Sequence, residues 1–204
     1  MIARPYNYCR RIHFEGNSLT ALDSNSNTVN GQYVAQTAYN TIAASRNNVS
    51  IVSFAVSGRT STQINAAMGT QILASIQPRD AVIYWEGTNE MQVNGTSAAD
   101  AFALVVTYRN GIWSYSPSLY ICTVAARDLA GDDADLMTRI DAYNVLVRNN
   151  ASTYGYTVVD IGGMPEFDTR ADASNTTYYK ADKIHMTTAG QNLAAGKMST
   201  AYLL

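Results

Sequence analysis

"FEGNSLTAL" (residues 14–22) decides how the rest of the chain is read. An apolar, strand-like run reaches Phe14 and stops at Glu15-Gly16, and Ser18 follows two residues later. A strand ending in Gly-Asn-Ser admits two readings. Ser18 is a turn residue, as Ser and Asn often are, or it is a nucleophile held out at the edge of a sheet. The rest of the chain has to decide between them.

Short apolar runs at 9–14, 49–56, 81–85, 119–124 and 157–161 read as strands. Longer amphipathic stretches lie between and after them, at about 31–46, 60–76, 97–115, 133–154 and 188–202. Within 133–154, Leu136, Ile140, Tyr143 and Val147 recur at helical spacing. Asp133 suits the N-cap of that helix, and Gly155 its C-terminal stop. Strands that alternate with helices imply right-handed crossovers and a parallel sheet covered on both faces. The connection 162–180 has no clear element of its own, contains Pro165 and ends in Tyr178-Tyr179. A loop of that length is usually functional or disordered.

The bulk composition fits one α/β domain over 1–204. Hydrophobic residues make up 47% of the 204 and charged residues 15%, enough for a sizeable core. The net charge of -2 argues against a large nucleic-acid footprint. No window approaches a membrane span, and "MIARPYNYCRR" lacks the hydrophobic region of a signal peptide. The chain therefore works where it is made or is a trimmed domain, and the compartment stays open. Cys9 and Cys122 both fall in strand-like runs and read as buried free thiols. Histidines and cysteines show no metal-ligand spacing, so neither a metal nor a cofactor is expected.

Open parallel sheets place their sites beyond the C-terminal ends of the strands. Gly16-Asn17-Ser18 follows the first strand, Gly58-Arg59 the second, and Gly87-Thr88-Asn89-Glu90 the third. Asp182-Lys183-Ile184-His185 follows the fifth and its long loop. With a strand order of 2-1-3-4-5 the first three motifs lie side by side. A serine hydroxyl needs a base to take its proton, and His is the usual base near neutral pH. The chain has two histidines. His13 lies inside the first strand and reads as a packed core residue. His185 has Asp182 three residues earlier, a spacing that lets the carboxylate orient one ring nitrogen while the other faces a serine. Acyl transfer also needs donors aimed at an oxyanion. The backbone N–H groups of Ser18 and Gly58 and the Asn89 side-chain amide are the candidates.

These four blocks resemble those of the SGNH, or GDSL, hydrolases, with Ser18, Gly58, Asn89 and His185 standing at the positions of the four letters. The resemblance spans residues 12 to 200 in the family's order. It implies a three-layer α/β/α flavodoxin-like fold with a five-stranded parallel sheet of order 2-1-3-4-5. It also implies a catalytic Ser18, His185 and Asp182 and an oxyanion hole of Ser18, Gly58 and Asn89. Two positions depart from the pattern: Gly-Asp-Ser reads Gly-Asn17-Ser, and Gly-x-Asn-Asp ends in Glu90. Gly-Asn-Ser-Leu-Thr is similar to variants in phage tail and virion-associated esterase domains.

The expected activity is hydrolysis of a short acyl ester, O-acetyl on a carbohydrate, with Arg59, Tyr178 and Tyr179 as substrate contacts and the tyrosines as a platform for a sugar ring. A lipase or thioesterase of the same family is an alternative, and so is a catalytically weak carbohydrate-binding or structural module. A phosphate-binding module is disfavoured because "GNSLT" has one glycine and no P-loop lysine. Finally, "FEGN" (14–17) and "WEGTN" (85–89) repeat a Glu-Gly step at two neighbouring strand ends. Glu15 and Glu86 either meet beneath the loops, with Arg59 as a cation between them, or point to opposite faces.

Overall fold

The computed structural model describes residues 11–20, 32–46, 48–128 and 134–204. β1 (Arg11–Gly16) is the strand that ends in the Gly-Asn-Ser turn. β2 (Ser50–Ser53) and β3 (Ala81–Trp85) flank it, and β4 (Ser118–Cys122) and β5 (Thr157–Val159) extend the sheet beyond β3. All neighbours are parallel and the order is β2-β1-β3-β4-β5, as the family resemblance implies. Every residue of β3 is buried, whereas edge strand β2 is half-exposed. That difference is the expected one for a doubly covered sheet.

The two faces of β1 follow the period of two. Ile12 and Phe14 join Ile83 and Trp85 on one face, under α1 (Val34–Ser45). The other face, with Val82 and Tyr84, is covered by α2 (Ser61–Ala67), α3 (Ile72–Ser75), α5 (Ala98–Ile112) and α6 (Leu136–Asn149). The short α4 (Thr88–Val93) sits directly after β3. After α6 come α7 (Ala151–Tyr154) and, last, α8 (Thr188–Leu203), which packs beside α1. The result is a three-layer α/β/α arrangement. Among the described residues no helix is long and apolar enough to cross a membrane.

Several expected elements change at their ends. The helix expected over 60–76 is two, α2 and α3, with a turn through Gly69-Thr70 between them. The Thr60 hydroxyl accepts from the Gln63 N–H, and the Gln63 side chain accepts from the Thr60 N–H at 3.0 Å, a reciprocal cap that fixes the start of α2. The helix expected over 133–154 is also two, α6 and α7. Gly155 ends α7 in the left-handed region, φ 69°, where a side chain would be strained. Asp133 and Cys9 lie outside the described residues, while Cys122 is a buried free thiol. The connection 162–180 folds back onto the core, where Phe167 is buried and its carbonyl accepts from the Ala126 N–H at 2.8 Å. It also contains a 3-10 turn at Asp172–Ser174.

Candidate active site

Gly16 explains why β1 ends where it does. A methyl group there would lie 2.6 Å from the Trp85 carbonyl oxygen and would overlap the Thr20 hydroxyl. The ladder thus stays closed up to Gly16 opposite Trp85, and the chain turns at once. The turn is pinned twice. The Thr20 N–H donates to the Asn17 carbonyl at 3.2 Å, and the Leu19 N–H donates to Asn17 Oδ1 at 2.8 Å. Ser18 sits at its head, 8% exposed.

His185 reaches this serine from a loop 167 residues later. Its Nε2 lies 2.9 Å from Ser18 Oγ, and its Nδ1 lies 2.7 Å from Asp182 Oδ2. The Asp182–His185 turn holds itself: Asp182 Oδ1 accepts from the N–H groups of Ile184 at 3.0 Å and His185 at 2.9 Å. Lys183 takes a left-handed φ of 57° to make this possible. Burial would raise the Asp182 pKa, but the donors from His185 and Ile184 outweigh it and hold the carboxyl below its usual range. An ionised Asp182 bound to Nδ1 sets the proton on that nitrogen and leaves Nε2 as the acceptor facing Ser18. Gln32, buried on the other side, clamps the next residue in both directions. It donates to the Met186 carbonyl at 2.9 Å and accepts from the Met186 N–H at 3.1 Å.

The other two expected donors sit on adjoining loops. Gly58 has a φ of 73°, and the space a side chain would fill is empty. The Asn89 amide donates to the Arg59 carbonyl at 3.1 Å, which joins the Gly58 loop to α4. A second tie comes from Glu90, whose carboxylate accepts from the Thr62 N–H at 2.9 Å and the Thr62 hydroxyl at 3.1 Å. Nothing in the sequence pattern points to that role for Glu90, because its partner lies on another helix.

The expected substrate contacts fare less well. Tyr179 is 1% exposed, packs edge-on against Phe167 and donates its hydroxyl to the Ala126 carbonyl at 2.9 Å. It is a core residue and offers no platform for a sugar. Tyr178 is half-buried against the same Phe167. Arg59 turns inward, where its guanidinium donates to the Phe54 carbonyl at 2.7 Å. The aromatic pair in the sequence thus marks where the long loop is anchored to the core.

His13 is buried, with Nε2 3.0 Å from Asp80 Oδ2. Desolvation lowers its pKa against the pull of Asp80. The core reading of His13 therefore holds. Glu15 and Glu86 are both buried, yet among the described residues no hydrogen bond joins them. Glu15 accepts from the Tyr108 hydroxyl at 3.3 Å, and burial pushes its pKa up to about 7 while the Arg59 charge pulls it down. Glu86 instead accepts from the Asn17 amide at 2.6 Å.

The family model described as the GDSL-like Lipase/Acylhydrolase family matches residues 14–193. No curated protein matches the chain. Among solved structures, a GDSL-like lipase from Parabacteroides merdae superposes with a TM-score of 0.77 at 17% identity, over 97% of this chain and 98% of that one. The lipase/acylhydrolase from Enterococcus faecalis gives 0.71 at 17% identity, over 94% of each. A variant of an acetylxylan esterase from Geobacillus stearothermophilus gives 0.66 at 15% identity, over 95% and 92%. At such identities these likenesses carry the fold alone. The family match runs from the end of β1 through the Asp182–His185 turn into α8, so the chain belongs to the GDSL-like lipase/acylhydrolase family.

Proposed function

We propose that the protein is a serine esterase that removes a short acyl group, O-acetyl on a carbohydrate, with Ser18 as nucleophile, His185 as general base and Asp182 as its orienter. Membership of the family makes it a hydrolase of the ester-hydrolase kind. One observation carries the finer reading: the unbroken line from Ser18 Oγ through His185 to Asp182, with steps of 2.9 and 2.7 Å.

In this reading His185 Nε2 takes the Ser18 proton as Oγ bonds to the ester carbonyl carbon. Charge develops on the carbonyl oxygen. The N–H groups of Ser18 and Gly58 and the Asn89 amide receive it. As the tetrahedral intermediate collapses, the bond to the alcohol oxygen breaks and His185 returns the proton to that oxygen. Water then repeats the sequence on the acyl-enzyme and frees the acid. An acetylxylan esterase shares this fold, so an acetyl group on a sugar is a substrate class the fold can serve.

The test is hydrolysis of p-nitrophenyl esters of increasing chain length, with Ser18→Ala as control. Turnover highest on acetate, falling with chain length and lost in Ser18→Ala, is expected. A preference for long acyl chains would replace the acetylesterase reading by a lipase or thioesterase one. Unchanged turnover in Ser18→Ala would remove Ser18 from the chemistry.

A further inference from the structure

Behind Ser18, one buried carboxylate touches both sides of the site. Glu86 is 1% exposed and lies between β3 and α4. Its Oε2 accepts from the Asn17 amide at 2.6 Å and, at the long limit of 3.4 Å, from the Asn89 N–H. Its Oε1 accepts from the Glu90 N–H at 2.9 Å. Asn17 precedes Ser18 in the chain, and Asn89 is the side chain assigned to the oxyanion. The chemistry proposed above leaves Glu86 unused.

We propose that Glu86 is a positioning residue whose carboxylate, gripped by Asn17, locks the Ser18 turn against the helix that carries Asn89, and that residue 17 is an amide because this lock needs one. The proposal deepens the esterase reading and rests on it for the kinetic part of its test.

The donors and acceptors here close only one way. Asn17 Oδ1 is committed to the Leu19 N–H, so its Nδ2 must find an acceptor. Glu86 faces donors at both oxygens, so it must be an acceptor at both. An aspartate in place of Asn17 would still accept from Leu19, but its second oxygen would face Glu86 Oε2 at the distance of a hydrogen bond. Two carboxylates that close must share one proton or repel. A glutamine in place of Glu86 fails differently: whichever way either amide is turned, a donor meets a donor. Changing both restores the closure. The introduced glutamine would take the Glu90 N–H on its oxygen and donate from its nitrogen to the introduced aspartate, leaving only the weak Asn89 N–H bond opposed.

Of the titratable groups around Glu86, Glu15 on the adjoining β1 is also pushed up by burial to about 7, inside the tested range, and it is common to wild type and every variant compared below. Tyr84 from β3 and Tyr143 from α6 face it, and burial pushes both phenols well above their usual range. The Tyr143 hydroxyl is itself spent on the Glu86 carbonyl at 2.9 Å. Desolvation would raise the pKa of Glu90 on α4, but its own donors overcome this and hold it ionised. Burial drives Glu86 itself up to about 7, against the N–H groups of Gly87, Glu90 and Asn89 and the amide of Asn17. A carboxylate so placed tolerates no second one nearby.

The test compares Asn17→Asp, Glu86→Gln and the exchanged pair N17D/E86Q, by p-nitrophenyl acetate turnover and by denaturant melts between about pH 6 and about pH 9. Asn17→Asp should stay within about threefold of wild type in kcat at the acid end, where the two carboxyls share a proton. It should fall by about tenfold or more at the alkaline end, with its melting midpoint falling in parallel. Glu86→Gln should lose at every pH, and the exchanged pair should regain most of both losses. An Asn17→Asp profile that parallels wild type across the range, or an exchanged pair no better than the single variants, would overturn the lock. If no variant and not even wild type hydrolyses the ester, the esterase reading fails on its own. The melts still decide the lock, because they need no turnover.

Discussion

Ser18 is set apart from the many other serines of this chain by what its neighbours are doing. Asn17 holds the turn from below, Gly16 lets the strand close up to Trp85, and His185 arrives with its orientation already fixed by Asp182. The two histidines offer an internal comparison. His185→Ala should cost about a thousandfold or more in kcat, since the residues of such a constellation act as a unit. His13→Gln should change kcat by no more than about a few fold, although it disturbs the buried bond to Asp80 and lowers stability. Steady-state rates alongside melts separate the two effects. Comparable rate losses in folded proteins would mean that the base has been misassigned. At this scale the sequence was legible only jointly, because Gly-Asn-Ser alone also reads as a turn and Asp-x-x-His alone as a capping aspartate beside a surface histidine, and it is their placement at strand ends of one sheet that sets them apart. Tyr179 was misread because an aromatic pair looks alike whether it faces a sugar or a core phenylalanine. Only the burial of Tyr179 and its bond to Ala126 separate the two.

At the scale of elements, close approach dictates more than propensity does. β1 and β3 remain paired to Gly16 and Trp85 because residue 16 lacks a side chain. Gly16→Ala should therefore part the strands at the base of the Ser18 turn. Overpacking of this kind costs ~1–3 kcal/mol, and here the displaced atom is a backbone oxygen that cannot swing away. The expected outcome is a lower melting midpoint together with a turnover loss larger than the loss of folded protein. An alanine variant equal to wild type in both would show that the strand ends have slack. Element order was readable from alternating apolar runs, and strand ends were not. β5 stops at Val159 because its single neighbour β4 stops pairing there, a fact about the partner and not about residues 157–161. α4 was missed for a related reason. Its six residues give too few turns for a helical period, and the last of them, Val93, is exposed despite being apolar.

The whole molecule carries an electrostatic cost in its centre. Glu15 and Glu86 both have pKa values pushed up by burial from about 4.5 to about 7. An acid raised by folding leaves the fold at full strength below its unfolded value. It removes stability progressively as pH rises toward its folded value. Global stability should thus decline from about pH 4.5 to about pH 7. Asp182 acts in the opposite sense and lower down, since its lowered pKa withdraws stability as pH falls below the ordinary range of Asp. Glu15→Gln should flatten part of the decline without removing the Tyr108 bond to the remaining carbonyl oxygen. Denaturant melts of wild type and Glu15→Gln at matched pH values check this, and identical slopes would contradict it. None of this was visible in the net charge of -2, which counts carboxyls without weighing where they lie. The Glu-Gly repeat did mark both residues. Which partner each would choose depended on the direction of their side chains, and that became known only with the fold.

Beneath all three scales lies the claim that Ser18 is an activated nucleophile. It is tested most directly by treating the protein with a serine-reactive phosphonate and mapping the adduct by mass spectrometry. The account predicts one modified residue, Ser18, with labelling that is lost in His185→Ala. Labelling at another residue, or none in a preparation that hydrolyses esters, would contradict it.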